Sequence, residues 1–119
     1  MTFLYRPDCK ECQMVKAWLD KRGVEYEERD MNACPPTGEE IMDWGSKGRI
    51  PLKHFLRPRR FSLRMILLNN QMALAERHTR ALIIAAAHEH MVCPIMVGDD
   101  FAVIGTDNAQ WRRALNITD

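Results

Sequence analysis

The feature that most restricts this chain lies in its first 28 residues. A short apolar run, Thr2-Phe3-Leu4-Tyr5, meets a break at Pro7-Asp8 and is followed at once by Cys9-Lys10-Glu11-Cys12. From Cys9 the pattern turns helical: Val15, Trp18 and Leu19 fall at i, i+3 and i+4, with Lys16, Asp20 and Lys21 outside the stripe. Arg22-Gly23 supplies a basic last turn and a glycine at the helix end. Val24 to Glu28 then alternates apolar and acidic residues, as a strand with one wet face does. Strand, helix and strand in so few residues predict a βαβ unit with parallel strands and a right-handed crossover.

The two thiols sit where such a unit can do chemistry. Unpaired amides and the positive end of the macrodipole at a helix N-terminus favour thiolate over thiol. Cys9 is therefore the candidate nucleophile and Cys12 the resolving thiol, and the flanking cations of Arg6 and Lys10 favour the Cys9 thiolate further. The plainer alternative is a buried or metal-holding cysteine pair, but a Cys-x-x-Cys ahead of a helix in a βαβ context reads first as a redox motif.

Beyond this unit, Pro35-Pro36 punctuates the chain, and Thr37 with Glu40 forms a capping box for a helix carrying Ile41 and Trp44, ended by Gly45 and Gly48. Pro51 starts a short helical piece with Leu52, Phe55 and Leu56 on one side, and Pro58 stops it. Residues 59–68 suit a helix or a buried strand, with helix preferred. After Asn69-Asn70, Gln71 to Met91 reads as one long helix or two, with Leu74, His78, Ala81, Leu82 and Ala85 inward. Pro94 to Val97 and Phe101 to Ile104 form a hairpin about Gly98-Asp99-Asp100. Asp107 and Gln110 offer a capping box for a last helix striped by Trp111, Ala114 and Leu115. Trp18, Trp44 and Trp111 each lie on an apolar stripe and are expected in the core.

Composition narrows the function classes. With 119 residues, 46% of them hydrophobic, the chain reads as one α/β domain able to bury its own core. A formal net charge of +1 gives no indication of a broad basic face, so direct nucleic-acid binding is not expected. Residues 57 to 93 nonetheless hold six arginines against two acidic residues, so a local anion site can form there. The longest apolar run, Ala81 to Ala87, is too short to cross a bilayer. Four cysteines, with no signal-peptide pattern at the start, lead us to expect a reducing cytoplasm rather than a disulfide scaffold.

A longer set of residues resembles a known family. Tyr5 to Cys12, Ala17-Trp18-Leu19, Gly23 to Asp30, Pro94-Ile95-Met96-Val97 and Val103-Ile104-Gly105 are similar to the arsenate reductase (ArsC) and Spx family. The resemblance implies a thioredoxin-like fold, βαβ then a helical insertion at about 37–91 then ββα, with a four-stranded mixed sheet in a single domain over 1–119. It also implies that Cys9 is the redox nucleophile, that Cys12 forms a disulfide with it, and that Arg57, in Leu56-Arg57, helps hold an oxyanion. Pro94 is expected to be cis and to shape the substrate groove. Where the family has Arg-Pro-Ile this chain has Cys93-Pro94-Ile95, and the arginine expected after the return strand is replaced around Gly105-Thr106.

Cys93 thus falls beside the Cys9 and Cys12 pair, as a small space-filling residue, a third redox thiol, or a soft metal ligand with His88 or His90. Cys34, in the loop after the second strand, is expected to be incidental. The arginines at 57, 59, 60 and 64 are candidates for an anionic substrate such as glutathione. The leading expectation is a thiol–disulfide oxidoreductase with Cys9 and Cys12 as catalytic thiols and Arg57, Pro94, Cys93 and Arg6 around the substrate. No bound cofactor is expected, with glutathione or thioredoxin as electron donor. The alternatives are an Spx-like redox regulator that binds RNA polymerase and a metal-binding module built on the same thiols.

Overall fold

A computed structural model describes residues 1–57 and 75–116. Strand β1 (Thr2–Tyr5) leads into helix α1 (Lys10–Lys21), strand β2 (Glu27–Asp30) and helix α2 (Gly38–Gly48). A 3-10 turn at Leu52–Phe55 follows, then helix α3 (Arg77–Ala86) and a second 3-10 turn at His88–His90. Strands β3 (Ile95–Val97) and β4 (Ala102–Ile104) and helix α4 (Asn108–Leu115) complete the order. The sheet runs β2-β1-β3-β4, with β1 parallel to β2 and antiparallel to β3, and β3 antiparallel to β4. This is the four-stranded mixed sheet expected.

Alternation along the strands builds two cores, one on each face. Phe3, Met96 and Val103 are register partners in turn and pack with Val15 and Leu19 of α1 and Trp111 of α4. Their neighbours Leu4, Ile95 and Ala102 face the other way, against Ile41 and Trp44 of α2, Ala81 and Ile84 of α3, and Phe55. Because β1 and β3 are covered on both faces, the ends of these strands have a fixed place in the molecule. The turn after β1 and the turn before β3 emerge side by side, and the thiols lie there.

Several local expectations need correction. Val24 and Tyr26 alternate as a strand should, yet pairing starts only at Glu27, whose N–H donates to Met1 O at 2.9 Å. The pattern at 24–26 instead records packing: the Tyr26 ring lies 5.4 Å from Phe3, and its hydroxyl donates to Asp20 at 2.7 Å. Helix α2 continues through Gly45, which is set there by close packing, since a side chain would press on Leu52 and the Ile50 carbonyl, and it stops at Gly48, where Arg49 turns left-handed (φ 52°). In α3 the inward residues are Ala81 and Ile84, whereas His78 and Leu82 are exposed, a rotation made easy because Ala81 to Ala87 is apolar at every position. Trp18 is only half-buried and carries Arg22 against its ring, so only Trp44 and Trp111 are core. Asp107 caps α4 by accepting from Ala109 N–H at 3.0 Å rather than through a reciprocal box with Gln110. The Thr37–Glu40 box forms in full. The expected helix over 59–68, the stop at Pro58, the break at Asn69-Asn70, Gln71 to Leu74 and the arginines at 59, 60 and 64 lie outside the described residues.

Candidate functional site

Chain geometry brings three of the four cysteines together. After β1 a tight turn, closed by Cys9 N–H donating to Arg6 O at 3.1 Å, places Cys9 at the N-cap of α1 in extended conformation. Cys12, one helical turn on, is buried at 2% exposure. Cys93 arrives from the other side of β1, in the turn ahead of β3, joined to Pro94 by a cis peptide bond as expected. Pro94 is itself buried, and its carbonyl accepts from Gly105 N–H at 3.0 Å, tying the turn to the end of β4. The sulfurs of Cys9, Cys12 and Cys93 all lie within 4.8 Å of one another, and those of Cys9 and Cys93 are 2.7 Å apart.

The electrostatics differ from the sequence expectation, which put the thiolate on Cys9. Burial, and then the hydrogen bond shared with Cys93, push the Cys9 thiol up against the smaller pull of the Cys12 thiol and amide. The contact with Cys93, and then burial, push Cys12 up more strongly. Cys93 moves the other way. Hydrogen bonds from Cys12 first, then from Cys9, with the Arg6 cation alongside, bring it down to about 6 despite burial. Three close thiols share one ionisation, and it falls on the sulfur that the other two serve as donors.

Arg6 explains part of that choice. It is the buried charged residue of the described core, at 4% exposure, and a buried cation needs partners. Its guanidinium donates to the carbonyls of Met91, at 2.8 Å, and His88, and stands beside the Cys93 sulfur. The sequence reading set Arg6 to serve Cys9, whereas the structure turns it inward to Cys93.

The other sequence candidates are placed as follows. Arg57 Nε donates to Met91 O at 3.2 Å and its Nη2 to Glu89 O at 3.5 Å. It reaches the thiols only through Glu11, whose carboxyl accepts from Cys9 Sγ at 3.5 Å and is held below the usual range by its own backbone amide first, then by Cys9 and Arg57. His88 and His90 are not in the sulfur cluster. Among the described residues the group able to hold a metal consists of the three cysteines, not Cys93 with a histidine. Cys34 is exposed and apart from the cluster, its carbonyl accepting from Arg29 Nε at 3.0 Å. A cleft of about 780 Å³ bounded by Arg49, His54, Gln110 and Arg113 contains none of the thiols. Sequence reasoning missed Glu11, and the signal for it was only its position between the two cysteines.

Comparison with known proteins bears on the fold that carries this site. The glutaredoxin family profile matches residues 1–51, the segment from β1 through α2. Among solved structures, an ArsC family related protein from Bacteroides fragilis superposes with a TM-score of 0.83 at 24% identity, covering 94% of each chain. A possible arsenate reductase from Streptococcus mutans superposes at 0.79 with 26% identity, covering 98% of this chain and 97% of that one. An arsenate reductase from Vibrio cholerae gives 0.74 at 16% identity, covering 99% and 98%. With Cys9 and Cys12 in place at the head of α1, these likenesses support a thiol oxidoreductase type of function. The chain thus has the thioredoxin-like fold seen in these ArsC-family structures, and it resembles the glutaredoxin family over its first 51 residues.

Proposed function

We propose that this protein is a cytoplasmic thiol–disulfide oxidoreductase that reduces glutathione-linked or protein disulfides, with Cys9 as the attacking thiol. The observation that carries this reading is the half-exposed Cys9 at the N-cap of α1 with two further sulfurs within 4.8 Å. Attack by Cys9 on a substrate disulfide makes a mixed disulfide, and a neighbouring thiol displaces the product. Glutathione or a thioredoxin-class dithiol then returns the electrons. Pro94 holds the Cys93 turn against the active thiols and so shapes the groove.

Disulfides fit this site better than an oxyanion. The family arginine ahead of Pro94 is Cys93 here, and two nitrogens of the Arg57 guanidinium are engaged by backbone carbonyls. In this reading Arg57, with two nitrogens already held by carbonyls, offers charge to a substrate rather than enclosing an arsenate.

The test is turnover of a glutathione mixed disulfide, and separately of arsenate, with glutathione or thioredoxin as reductant. Turnover of the disulfide that disappears in Cys9→Ser, with the fold retained, supports the reading. Absence of turnover together with redox-dependent binding to RNA polymerase replaces it with the regulator alternative. A second reading, a soft-metal module, is favoured by the three clustered sulfurs. Stoichiometric zinc uptake by the reduced protein supports it, and no uptake removes it.

A further inference from the structure

We propose that Cys93, not Cys12, is the thiol that resolves the mixed disulfide formed on Cys9, so that the working disulfide of this protein joins the first cysteine of the motif to the residue before the cis-proline. This rests on the proposed role of Cys9 and adds the identity of its partner.

Geometry carries it. The Cys9 and Cys93 sulfurs are 2.7 Å apart, closer than a non-bonded attack distance of about 3–3.5 Å requires, and need little movement to reach bonding distance. Both residues are half-exposed, so an adduct on Cys9 and a leaving thiol can be accommodated, whereas Cys12 is buried at 2%. The buried Arg6 cation faces Cys93, so the turn before β3 holds a sulfur already suited to negative charge. The lowered pKa of Cys93 and the raised one of Cys12 agree with this division of labour.

The steps balance. Cys9 passes its proton to the Cys93 thiolate across their hydrogen bond and attacks one sulfur of the substrate disulfide RS–SR. The Cys9–SR bond forms, the substrate S–S bond breaks, and the departing RS⁻ takes the proton from Cys93 and leaves as RSH. Cys93 thiolate then attacks Cys9 Sγ. The Cys9–Cys93 bond forms, the bond to SR breaks, and the second RS⁻ leaves and is protonated by solvent. Two electrons have passed from the two protein thiols to the substrate, and a dithiol or two low-molecular-weight monothiols restore them.

The experiment is a rapid-quench reaction of the reduced protein with oxidised glutathione, followed by alkylation of free thiols and mapping of disulfides by mass spectrometry. The expected product is a Cys9–Cys93 cross-link. In Cys93→Ser the glutathione adduct on Cys9 should persist, clearing at least roughly tenfold more slowly than in Cys12→Ser. Cys93→Ala should behave as Cys93→Ser does, and the melting temperature of each variant checks that the fold is kept. A Cys9–Cys12 cross-link alone, with an adduct that clears in Cys93→Ser but persists in Cys12→Ser, overturns the assignment. Failure of Cys12→Ser, which keeps both Cys9 and Cys93, to form any adduct or cross-link at Cys9 instead overturns the parent role of Cys9.

Discussion

Helices α1 and α2 begin in opposite ways, and the contrast separates stability from chemistry in this molecule. At α2, Thr37 accepts from Glu40 N–H at 3.1 Å, and Glu40 accepts from Thr37 N–H at 3.0 Å. The same Glu40 receives the Arg29 fork at 2.6 and 2.9 Å, and Arg29 also ties down the carbonyls of Cys34 and Pro35. That helix start is closed, and its acid is held below the usual carboxylate range chiefly by Arg29. At α1 the N-cap is Cys9, which makes no side-chain capping hydrogen bond. A thiol is a poor cap, and the uncapped amides are what a helix N-terminus can offer to a developing thiolate. One start is built to hold the fold and the other to leave a sulfur reactive.

The contrast can be broken most severely at Cys9. Cys9→Ser should lower disulfide turnover by roughly three orders of magnitude or more, since the attacking atom is gone. The same change should raise thermal stability, by about 0.5–1 kcal/mol in denaturant unfolding, because serine is the better N-cap. A variant that loses activity and stability together would contradict the distinction. At the other start, Glu40→Ala should cost about 2 kcal/mol, because one carboxylate serves both the cap and Arg29, with the rate of Cys9 alkylation unchanged. Thr37→Ala should cost about 1 kcal/mol, again without effect on the thiols.

A separate effect concerns pH. The Cys93 thiol is lowered to about 6 in the fold, by the Cys12 and Cys9 hydrogen bonds and Arg6. Between there and the ordinary thiol range near 8.5 the unfolded chain binds more protons than the folded one. Stability of the reduced protein should therefore rise as pH increases through that window and fall as pH is lowered toward 6. Unfolding free energies across pH should show this slope in the native protein and lose it in Cys93→Ser. Arg6→Met should move the thiolate titration, followed by ultraviolet absorbance, upward.

How far the sequence could be read follows from how local each signal is. The Thr37–Glu40 box, the Pro94–Val97 and Phe101–Ile104 hairpin and the stripe of Val15 and Leu19 rest on residues within one turn of each other, and they were legible. The inner face of α3 was not, because Ala81 to Ala87 is apolar at every position, so periodicity selects no side; packing against α2 and the sheet decides it. Val24 and Tyr26 misled because burial alternates there without strand pairing. At the site, the position of Cys93 beside the motif followed from the resemblance to thioredoxin-like folds, in which the residue before the cis-proline lies against the active cysteines. Its ionisation did not, because that depends on which two thiols and which buried cation surround it across 84 residues of chain. Arg6 shows the same limit: its neighbour in sequence is Cys9, and its neighbour in space is Cys93.

The central claim, that the clustered thiols carry reversible disulfide chemistry, is tested most directly by counting free thiols while the protein is equilibrated against glutathione redox buffers. Two of the four cysteines, Cys9 among them, should disappear together in one reversible two-electron step. Four thiols that all stay free under fully oxidising buffer would contradict it.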